Sequence, residues 1–305
     1  MRWLRRVAVR AALLAGVALA VPTGSVQPTT ISLTTVGTAK AVDAGAGDGV
    51  LWVLALGSEA AGDDDVMTGL TDAVQLIGVR ASTGRAAAIG LPRDLWVDLP
   101  EGGARLNTAL REEGPEGVAA EVDELLGIEP DVVLVTGFDG FVSVLGTVGD
   151  VEVDSPTAFT TEDGGVRVRR GANTFDADQA LLYARTRDTL PGGSDFERVA
   201  NHQRLLLGVL ARLRSAEDEE GFLERVALSA LGGLDTDLSP SDVYRLVQAL
   251  TTVDPRRTTA CIIRGTFGVE DGAAVVYPDE EQALAVGTDA RADARIQGGC
   301  RDGSG

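Results

Sequence analysis

The amino-acid sequence predicts an α/β (α+β) domain in which helices flank both faces of a mixed central β-sheet. Two apolar runs, at 49–57 and 131–137, have the continuous apolar character of strands buried on both faces. Segments with helical spacing of apolar residues follow these strands. Strands that alternate with helices pack as layers around one core, and a hydrophobic content of 44% is ample for a large one.

Three more elements are predicted in the N-terminal half. Residues 72–79 and 85–91 are read as strands, and a turn-like Ser-Thr-Gly sequence joins them. A helix is predicted over 115–127, because its apolar residues have helical spacing and it has Pro at its start and Gly at its end.

The second half continues with the same kinds of element. In order, these are a short helix at 138–149, a strand at 150–156, an excursion or hairpin at 157–175, and helices that begin at Asp176, run from about 195 to 213 and cover 239–250. The tail beyond these helices predicts two short strands and a last helix.

The N-terminus has the pattern of an export signal. Four arginines lie in the first ten residues, and an uncharged apolar run follows from Ala11 to Val21. This run is shorter than the ~20 residues that a full membrane span usually needs. Residues 1–21 are therefore predicted to be a signal peptide or a short signal anchor. The protein is expected outside the membrane at the cell envelope, either anchored or secreted.

The remaining sequence divides into a stalk and one domain. Residues 22–48 are rich in Thr, Gly, Ala and Val, lack a clear period and are predicted to be a linker. A single domain is predicted at 49–305, with its core at 49–213 and a C-terminal completion at 214–305.

The net charge and the cysteine content argue against some classes of function. The formal net charge is −19, which argues against sequence-independent binding to nucleic acid, because such binding neutralises phosphates with Lys and Arg. In an exported chain the two cysteines, Cys261 and Cys300, most simply form one disulfide. A zinc site is not favoured, since these cysteines and His202 supply too few ligands.

Charged residues gather where predicted strands begin and end. Arg93 and Asp94 follow the strand at 85–91, and Asp72 opens the strand before it. The preceding loop carries Glu59 and an Asp-Asp-Asp run, which is read as a solvated acidic loop. Carboxylates at such a position suit Mg²⁺, which takes one or two carboxylates together with water and phosphate oxygens.

Three arginines stand out in the stretch "ALLYARTRDTLPGGSDFERVANHQ" at 180–203. Arg185 and Arg187 lie two residues apart near a helix end, and Arg198 lies on the next helix. Converging guanidinium groups match the bidentate recognition of phosphate oxygens. The alternative is that these arginines only offset the acidic surface.

From about residue 49 to 213, the motifs and their order resemble the LytR-CpsA-Psr family, whose members attach glycopolymers to the cell wall. The stretches that carry the resemblance are "LGSE", "GLTDAVQL", "GLPRDLWVDLP", "ARLNTAL", "VDELLGI", "VTGFDGFVSVLGTVGDVEVDSP", "ALLYARTRD" and "DFERVANHQRLL". The resemblance implies a hydrophobic pocket for a polyprenyl chain. It also implies transfer of a glycopolymer-phosphate from a polyprenyl-pyrophosphate donor to a hydroxyl of peptidoglycan, with release of polyprenyl phosphate.

The resemblance also implies roles for individual residues. The pyrophosphate ligands would be Arg93, Arg105, Arg185, Arg187, Arg198 and Gln203. Asp72 and Glu59 would bind Mg²⁺ (or Mn²⁺), and the catalytic residues would be Asp72, Arg93 and Arg185. Asp72 could ligate the metal or accept the proton of the acceptor hydroxyl, and the sequence does not separate these roles. The apolar faces of 115–126, 138–148 and 199–213 are predicted to line the pocket.

Five positions depart from the family pattern, and one of them is an arginine that is absent from the loop after Glu59. Glu59 stands in place of an aspartate and Leu70 in place of an arginine, while Asn201 and His202 replace an arginine and a glutamine. His202 is a possible phosphate contact, although a single histidine on a helix is more often structural. Two other functions therefore stay open: a paralogue that binds polyprenyl pyrophosphate or wall polymer without efficient transfer, and a polyprenyl-pyrophosphate hydrolase.

Overall fold

The computed structural model of the protein describes residues 31–35, 49–62, 64–190, 194–232, 234–236, 238–298 and 300. The predicted signal at 1–21 and most of the predicted linker lie outside these residues. Within the described part of the chain, no helix is both long and apolar enough to cross a membrane.

A mixed sheet forms the centre of the fold, and seven described strands belong to it. Numbered in chain order and given from edge to edge, they are β12 (Leu234–Thr236), β1 (Ile31–Thr35), β7 (Val132–Thr136), β2 (Leu51–Ser58), β3 (Thr71–Arg80), β4 (Arg85–Leu91) and β13 (Thr258–Ile262). The pairs β12–β1, β7–β2 and β4–β13 are parallel, and the other neighbours are antiparallel.

Helices cover both faces of this sheet, which confirms the predicted fold class. Those in the described residues are α1 (Leu106–Leu126), α2 (Phe138–Val148), α3 (Ala177–Arg185), α4 (Asp195–Ser215), α5 (Phe222–Gly232), α6 (Pro240–Thr251) and α7 (Glu280–Ala290). The buried side chains of α1 and α7 pack against those of β2, β3 and β7 on one face of the sheet. The other face is covered by α2, α4, α5 and α6.

Four small antiparallel pairs decorate this core. They are β5 (Trp96–Leu99) with β6 (Gly102–Arg105), β8 (Val151–Ser155) with β11 (Gly171–Phe175), β9 (Phe159–Thr160) with β10 (Arg167–Val168), and β14 (Gly265–Glu270) with β15 (Ala273–Pro278). The predicted excursion at 157–175 therefore contains a hairpin and a strand that returns to β8.

The prediction of a linker over 22–48 was wrong for residues 31–35, which form β1. Ile31 and Leu33 are buried, and β1 pairs with both β7 and β12. Five residues are too few to show a period inside a Thr-rich segment. Pairing with a strand on each side stabilises β1, and the local sequence gives no sign of this pairing.

The helix predicted to begin at 115 begins nine residues earlier, at Leu106. Gly114 has a φ of 73°, which kinks the helix and lets Pro115 start its second half. The sequence pattern of that second half was correct, and the first half, which lies before the Gly-Pro break, was not predicted.

Two predicted helix starts are confirmed at the level of side chains. Asp176 and Gln179 form a reciprocal capping box at α3, and the hydroxyl of Ser239 accepts the backbone N–H of Asp242 at α6. Both signals are local, so the sequence alone is enough to find them.

The disulfide between Cys261 and Cys300 is also confirmed, with a Cα–Cα distance of 5.4 Å. Cys261 lies on β13, at the edge of the sheet, so the bond ties the end of the described chain to that edge strand.

The substitution Cys300→Ser should lower the free energy of unfolding by about 2–4 kcal/mol, because the bond restricts a long loop in the unfolded chain. Urea unfolding under non-reducing conditions measures this change. Reduction of the wild-type protein should shift the midpoint by a similar amount and leave the variant unchanged. Equal midpoints for the oxidised wild type and the variant would contradict the prediction.

Candidate functional site

The topology of the sheet brings three predicted site residues together at the same end of three neighbouring strands. Glu59 follows the end of β2, Asp72 is at the start of β3, and Arg93 follows β4. Because β2, β3 and β4 are sequential antiparallel neighbours, these positions lie side by side. The Nη1 atom of Arg93 donates to Asp72 Oδ1 and, at 3.3 Å, to Glu59 Oε1.

Arg198 joins the same cluster from α4. Its guanidinium is buried, donates to Asp195 Oδ1 and lies 3.8 Å from Asp72 Oδ1. A buried guanidinium needs charge partners, since desolvation of an unpaired ion is costly. Gly90 on β4 allows the close approach of α4, because a Cβ there would clash with Val199.

The backbone of Arg93 is fixed on both sides by residues that the sequence analysis did not single out. Its N–H donates to Asp195 Oδ2 at 3.2 Å, and its carbonyl accepts the N–H of Asn107 at 2.9 Å. Asp195 thus orients two arginines, Arg93 through the backbone and Arg198 through the side chain. In the sequence, Asp195 opens a helix and the motif "DFERVANHQRLL", but an aspartate at such a position is usually read as a cap.

Arg105 and Asp94 extend the cluster away from the sheet. Arg105 Nη1 lies 3.5 Å from Asp94 Oδ1, and Arg93 Nε lies 3.9 Å from the same oxygen. Burial disfavours the charge of Arg93, yet Asp72, Asp94 and Asp195 together raise its pKa above the usual value. Arg93 is therefore a permanent cation.

An apolar cavity of about 360 Å³ opens beside this cluster. It lies between the sheet and helices α2, α4, α5 and α6, and its walls are Leu, Ile, Val, Ala and Phe side chains such as Leu134, Phe141, Leu206 and Leu246. The polar and charged residues of its lining are Ser58, Asp72, Gln75, Thr136, Arg185, Arg198 and His202. The cavity thus joins an apolar interior to charged residues that come from β3, α3 and α4.

Two of the three predicted helical contributions to this cavity agree with the structure. Residues of 138–148 and 199–213 line it, whereas none of 115–126 does. The apolar face of that helix packs on the opposite side of the sheet with α7, through Val118, Val122 and Leu126. The helical period identifies a buried face, but it does not say which side of the sheet that face covers.

Arg185 and Arg187 take different positions. The Arg185 guanidinium lies 4.2 Å from the centre of the Phe138 ring, and Arg185 and Phe138 both line the cavity. Arg187 is outside the lining. The Glu162 carboxylate accepts the backbone N–H groups of Arg187 and Asp188, at 2.6 and 2.7 Å, and so fixes the loop that follows α3.

The structure does not bring Gln203 to the site. Its side-chain amide donates to the carbonyls of Cys261, at 2.6 Å, and Ala88, at 3.3 Å, so it links α4 to the sheet. Asn201 is likewise structural, because its Oδ1 accepts from Tyr183 and Arg204.

His202 lines the cavity as a neutral ring. Its Nε2 lies 2.9 Å from the carbonyl of Ala184, which can only accept, so Nε2 carries the hydrogen. Nδ1 is then an acceptor, and it has no partner among the described residues. Desolvation of the ring, helped by the charge of Arg198, lowers its pKa to about 4. At neutral pH His202 therefore adds no positive charge for phosphate.

Gln75 is a site residue that the sequence analysis missed. It lies on β3, is 5% exposed and lines the cavity, and neither polar atom of its amide has a hydrogen-bond partner among the described residues. Its signals in the sequence were its polarity inside an apolar strand and its place in the motif "GLTDAVQL".

The two predicted metal ligands face each other. Burial and the negative charge of Asp72 raise the pKa of Glu59, and Arg93 opposes this shift only in part. The described residues contain no cluster of three or more acidic, His or Cys side chains with the geometry of a metal site.

Comparison with known proteins identifies the class. The model of the LytR_cpsA_psr family matches residues 25–292, so the chain belongs to this family, as its motifs indicated.

Two named relatives are similar in sequence. The polyisoprenyl-teichoic acid–peptidoglycan teichoic acid transferase TagU of Enterococcus faecalis is 25% identical over 240 residues, which cover 77% of this chain and 76% of TagU. The probable cell wall biosynthesis protein LcpB of Corynebacterium glutamicum is 28% identical over 201 residues, which cover 58% of this chain and 48% of LcpB. The chain therefore spans about half the length of LcpB.

Among solved structures, that of TagT bound to LIIa-WTA superposes with a TM-score of 0.65. The match covers 83% of this chain and 96% of the TagT chain at 20% sequence identity. This likeness establishes the fold.

The substitution Asp195→Ala should lower the free energy of unfolding by about 3–5 kcal/mol, because it leaves the buried Arg198 without its nearest carboxylate. Urea unfolding measures the change. Glu219→Ala is the matched control: it breaks an ion pair with Arg212 in which the Glu219 side chain is 52% exposed, and should cost about 1 kcal/mol or less. Equal costs for the two variants would show that Asp195 does not hold the cluster together.

Proposed function

We propose that the protein transfers a glycopolymer-phosphate from a polyprenyl-pyrophosphate-linked donor to a hydroxyl of peptidoglycan. The observation that carries this proposal is the continuity between the apolar cavity and the arginine cluster. An amphipathic donor with a hydrocarbon chain and a pyrophosphate needs both environments next to each other. The name of TagU, which describes transfer of teichoic acid to peptidoglycan, supports the same class of reaction.

Arg185 and Arg198 are the arginines best placed to hold the pyrophosphate, because both line the cavity. Arg198 is partly neutralised by Asp72 and Asp195, whereas no described carboxylate lies within 4.0 Å of the guanidinium of Arg185. Arg93 and Arg105 do not line the cavity. They lie on the side of the cluster away from it and stabilise the charge that develops on the transferred phosphate. Phosphoryl transfer depends chiefly on such positioning and charge compensation.

Glu59 and Asp72 form a donor set that fits Mg²⁺ or Mn²⁺. Two carboxylate groups with phosphate oxygens and water are ligands that a hard divalent cation accepts. Burial first, and then the negative charge of Asp72, raise the pKa of Glu59, and a cation would offset the second of these causes. When bound, the ion would neutralise negative charge on the pyrophosphate.

The chain's own residues account for the remaining steps. The acceptor hydroxyl attacks the phosphorus atom that carries the glycopolymer, and Asp72 takes its proton. The bond from that phosphorus to the bridging oxygen breaks, and polyprenyl phosphate leaves. The arginines stay charged throughout, so they compensate both the attacking and the leaving oxygens.

The partners and location follow from the reaction. A polyprenyl-linked donor is held in the membrane and peptidoglycan lies outside it, so we place the protein at the cell envelope. The basic, apolar N-terminal segment at 1–21 is proposed to direct it there, as a signal peptide or an anchor.

Mass spectrometry of organic extracts from the purified protein tests the donor site. Polyprenyl phosphate or pyrophosphate should be present in the wild type and reduced about 10-fold or more in Arg185→Ala/Arg187→Ala, because this variant loses the charged hydrogen bonds of Arg185 to phosphate. Arg225→Ala/Arg245→Ala removes the same charge from exposed faces of α5 and α6 and should retain the lipid. Equal lipid in both double variants would rule out the arginine site.

Asp72→Asn tests the reaction itself. With a polyprenyl-pyrophosphate-linked oligosaccharide and peptidoglycan oligomers, it should lower kcat by about 100-fold or more, because the general base is lost. Asp64→Asn, in the neighbouring acidic loop, should leave kcat unchanged. Full activity of Asp72→Asn would refute the mechanism, while a wild type that retains lipid without transferring the polymer would identify a binding protein.

A further inference from the structure

The hairpin β14–β15 exposes large apolar side chains beside the candidate site. Phe267 is 69% exposed and Val269 is 67% exposed. They lie two residues apart on β14 and therefore share one face of the hairpin. Apolar side chains that remain exposed together, next to a functional cleft, commonly mark a binding surface.

Two contacts fix this hairpin against the site. The ring of Phe267 packs edge-to-face on Phe196, with centroids 5.9 Å apart, and Phe196 directly follows Asp195. Val276, the register partner of Phe267, donates its backbone N–H to the carbonyl of Asp94 at 2.8 Å. Phe267 is therefore held against the rim of the arginine cluster.

The turn of the hairpin fits the twist of its two strands. Asp271 and Gly272 at its tip both have positive φ, 49° and 83°, as in the tight turns that match the twist of two paired strands. An aromatic side chain has only two rotatable bonds, so it loses little conformational entropy when a ligand covers it.

The order of residues across the site distinguishes a donor side from an acceptor side. Asp72 and Arg198 line the apolar cavity, whereas Arg93 and Asp94 do not and lie between those residues and the hairpin. In phosphoryl transfer the attacking and leaving oxygens are roughly in line. Since the lipid phosphate leaves toward the cavity, the acceptor hydroxyl enters from the side of the hairpin.

We propose that Phe267 and Val269 form a docking surface for the glycan strand of the peptidoglycan acceptor. This inference rests on the proposed transferase function. The apolar C–H faces of sugar rings pack on aromatic and aliphatic side chains, and the hydroxyl groups at their edges stay in water.

The charge of the hairpin argues for a glycan rather than a membrane surface. Glu270 and Asp271 form its tip, next to Val269. Elements that insert into a lipid surface usually combine apolar side chains with Lys and Arg, which attract anionic headgroups. Acidic residues at the tip disfavour such contact, and they leave binding of an uncharged glycan unaffected.

The test compares Phe267→Ser/Val269→Ser with Leu284→Ser, which removes an apolar side chain that is 55% exposed on α7. In the transfer assay the double variant should raise KM for peptidoglycan oligomers about 10-fold, with kcat and the KM for donor unchanged. It should also co-sediment less with purified peptidoglycan in the absence of donor. Leu284→Ser should match the wild type in both assays.

An unchanged acceptor KM and unchanged co-sedimentation in the double variant would overturn the inference and leave the transferase proposal intact. Loss of binding to anionic phospholipid vesicles without a change in acceptor KM would also overturn it, in favour of a membrane contact. If the wild type transfers no polymer, co-sedimentation still decides whether the hairpin binds glycan, and so separates the two proposals.

Discussion

The site depends on one buried cation, Arg198. Its guanidinium lies between Asp195 on its own helix and Asp72 at the start of β3, and it is only 5% exposed. Because an unpaired buried charge is strongly destabilising, the fold must place α4 next to the end of the sheet at which β3 begins. Asp195 also binds the backbone of Arg93, so its carboxylate connects the helix to the end of β4, while Arg198 connects the helix to the start of β3.

The two faces of the sheet differ in packing, and the difference makes the cavity. On one face α1 and α7 pack closely with the strands, and the core there is continuous. On the other face the long apolar side chains of α2, α4, α5 and α6 surround open volume instead of filling it. Protein interiors are normally close-packed, so this open volume, which ends at arginines, is the feature on which the proposed donor site rests.

The departures from the family pattern have different structural meanings. Glu59 still contacts Arg93, so its longer side chain keeps the interaction with the cluster. The backbone carbonyl of Leu70 accepts the N–H of Glu59 at 2.9 Å, a contact that does not depend on the side chain at 70. His202 supplies a neutral ring to the cavity wall, so the positive charge at this mouth comes from Arg185 and Arg198.

Much of the fold was predictable because its signals are local. Apolar runs identified β2 and β7, and capping residues identified the starts of α3 and α6. The strand β1 was not predictable, because its stability comes from pairing with β7 and β12 rather than from its own sequence. The helix α5 gave no recognised start signal and was missed for the same reason, since its apolar residues are buried against α6 and α2.

For the site, the sequence determined which charged residues lie at strand ends and which arginines lie at and just after the end of α3, since these depend on chain order alone. The tertiary structure decided which of them meet. It brought Asp72, Arg93 and Arg198 into contact, and it directed the Gln203 amide to backbone carbonyls of the sheet. It also placed Asp195, Gln75 and the β14–β15 hairpin at or beside the site. These outcomes depend on partners far apart in the chain, because a hydrogen bond or an ion pair is fixed only when both of its groups have been positioned in space.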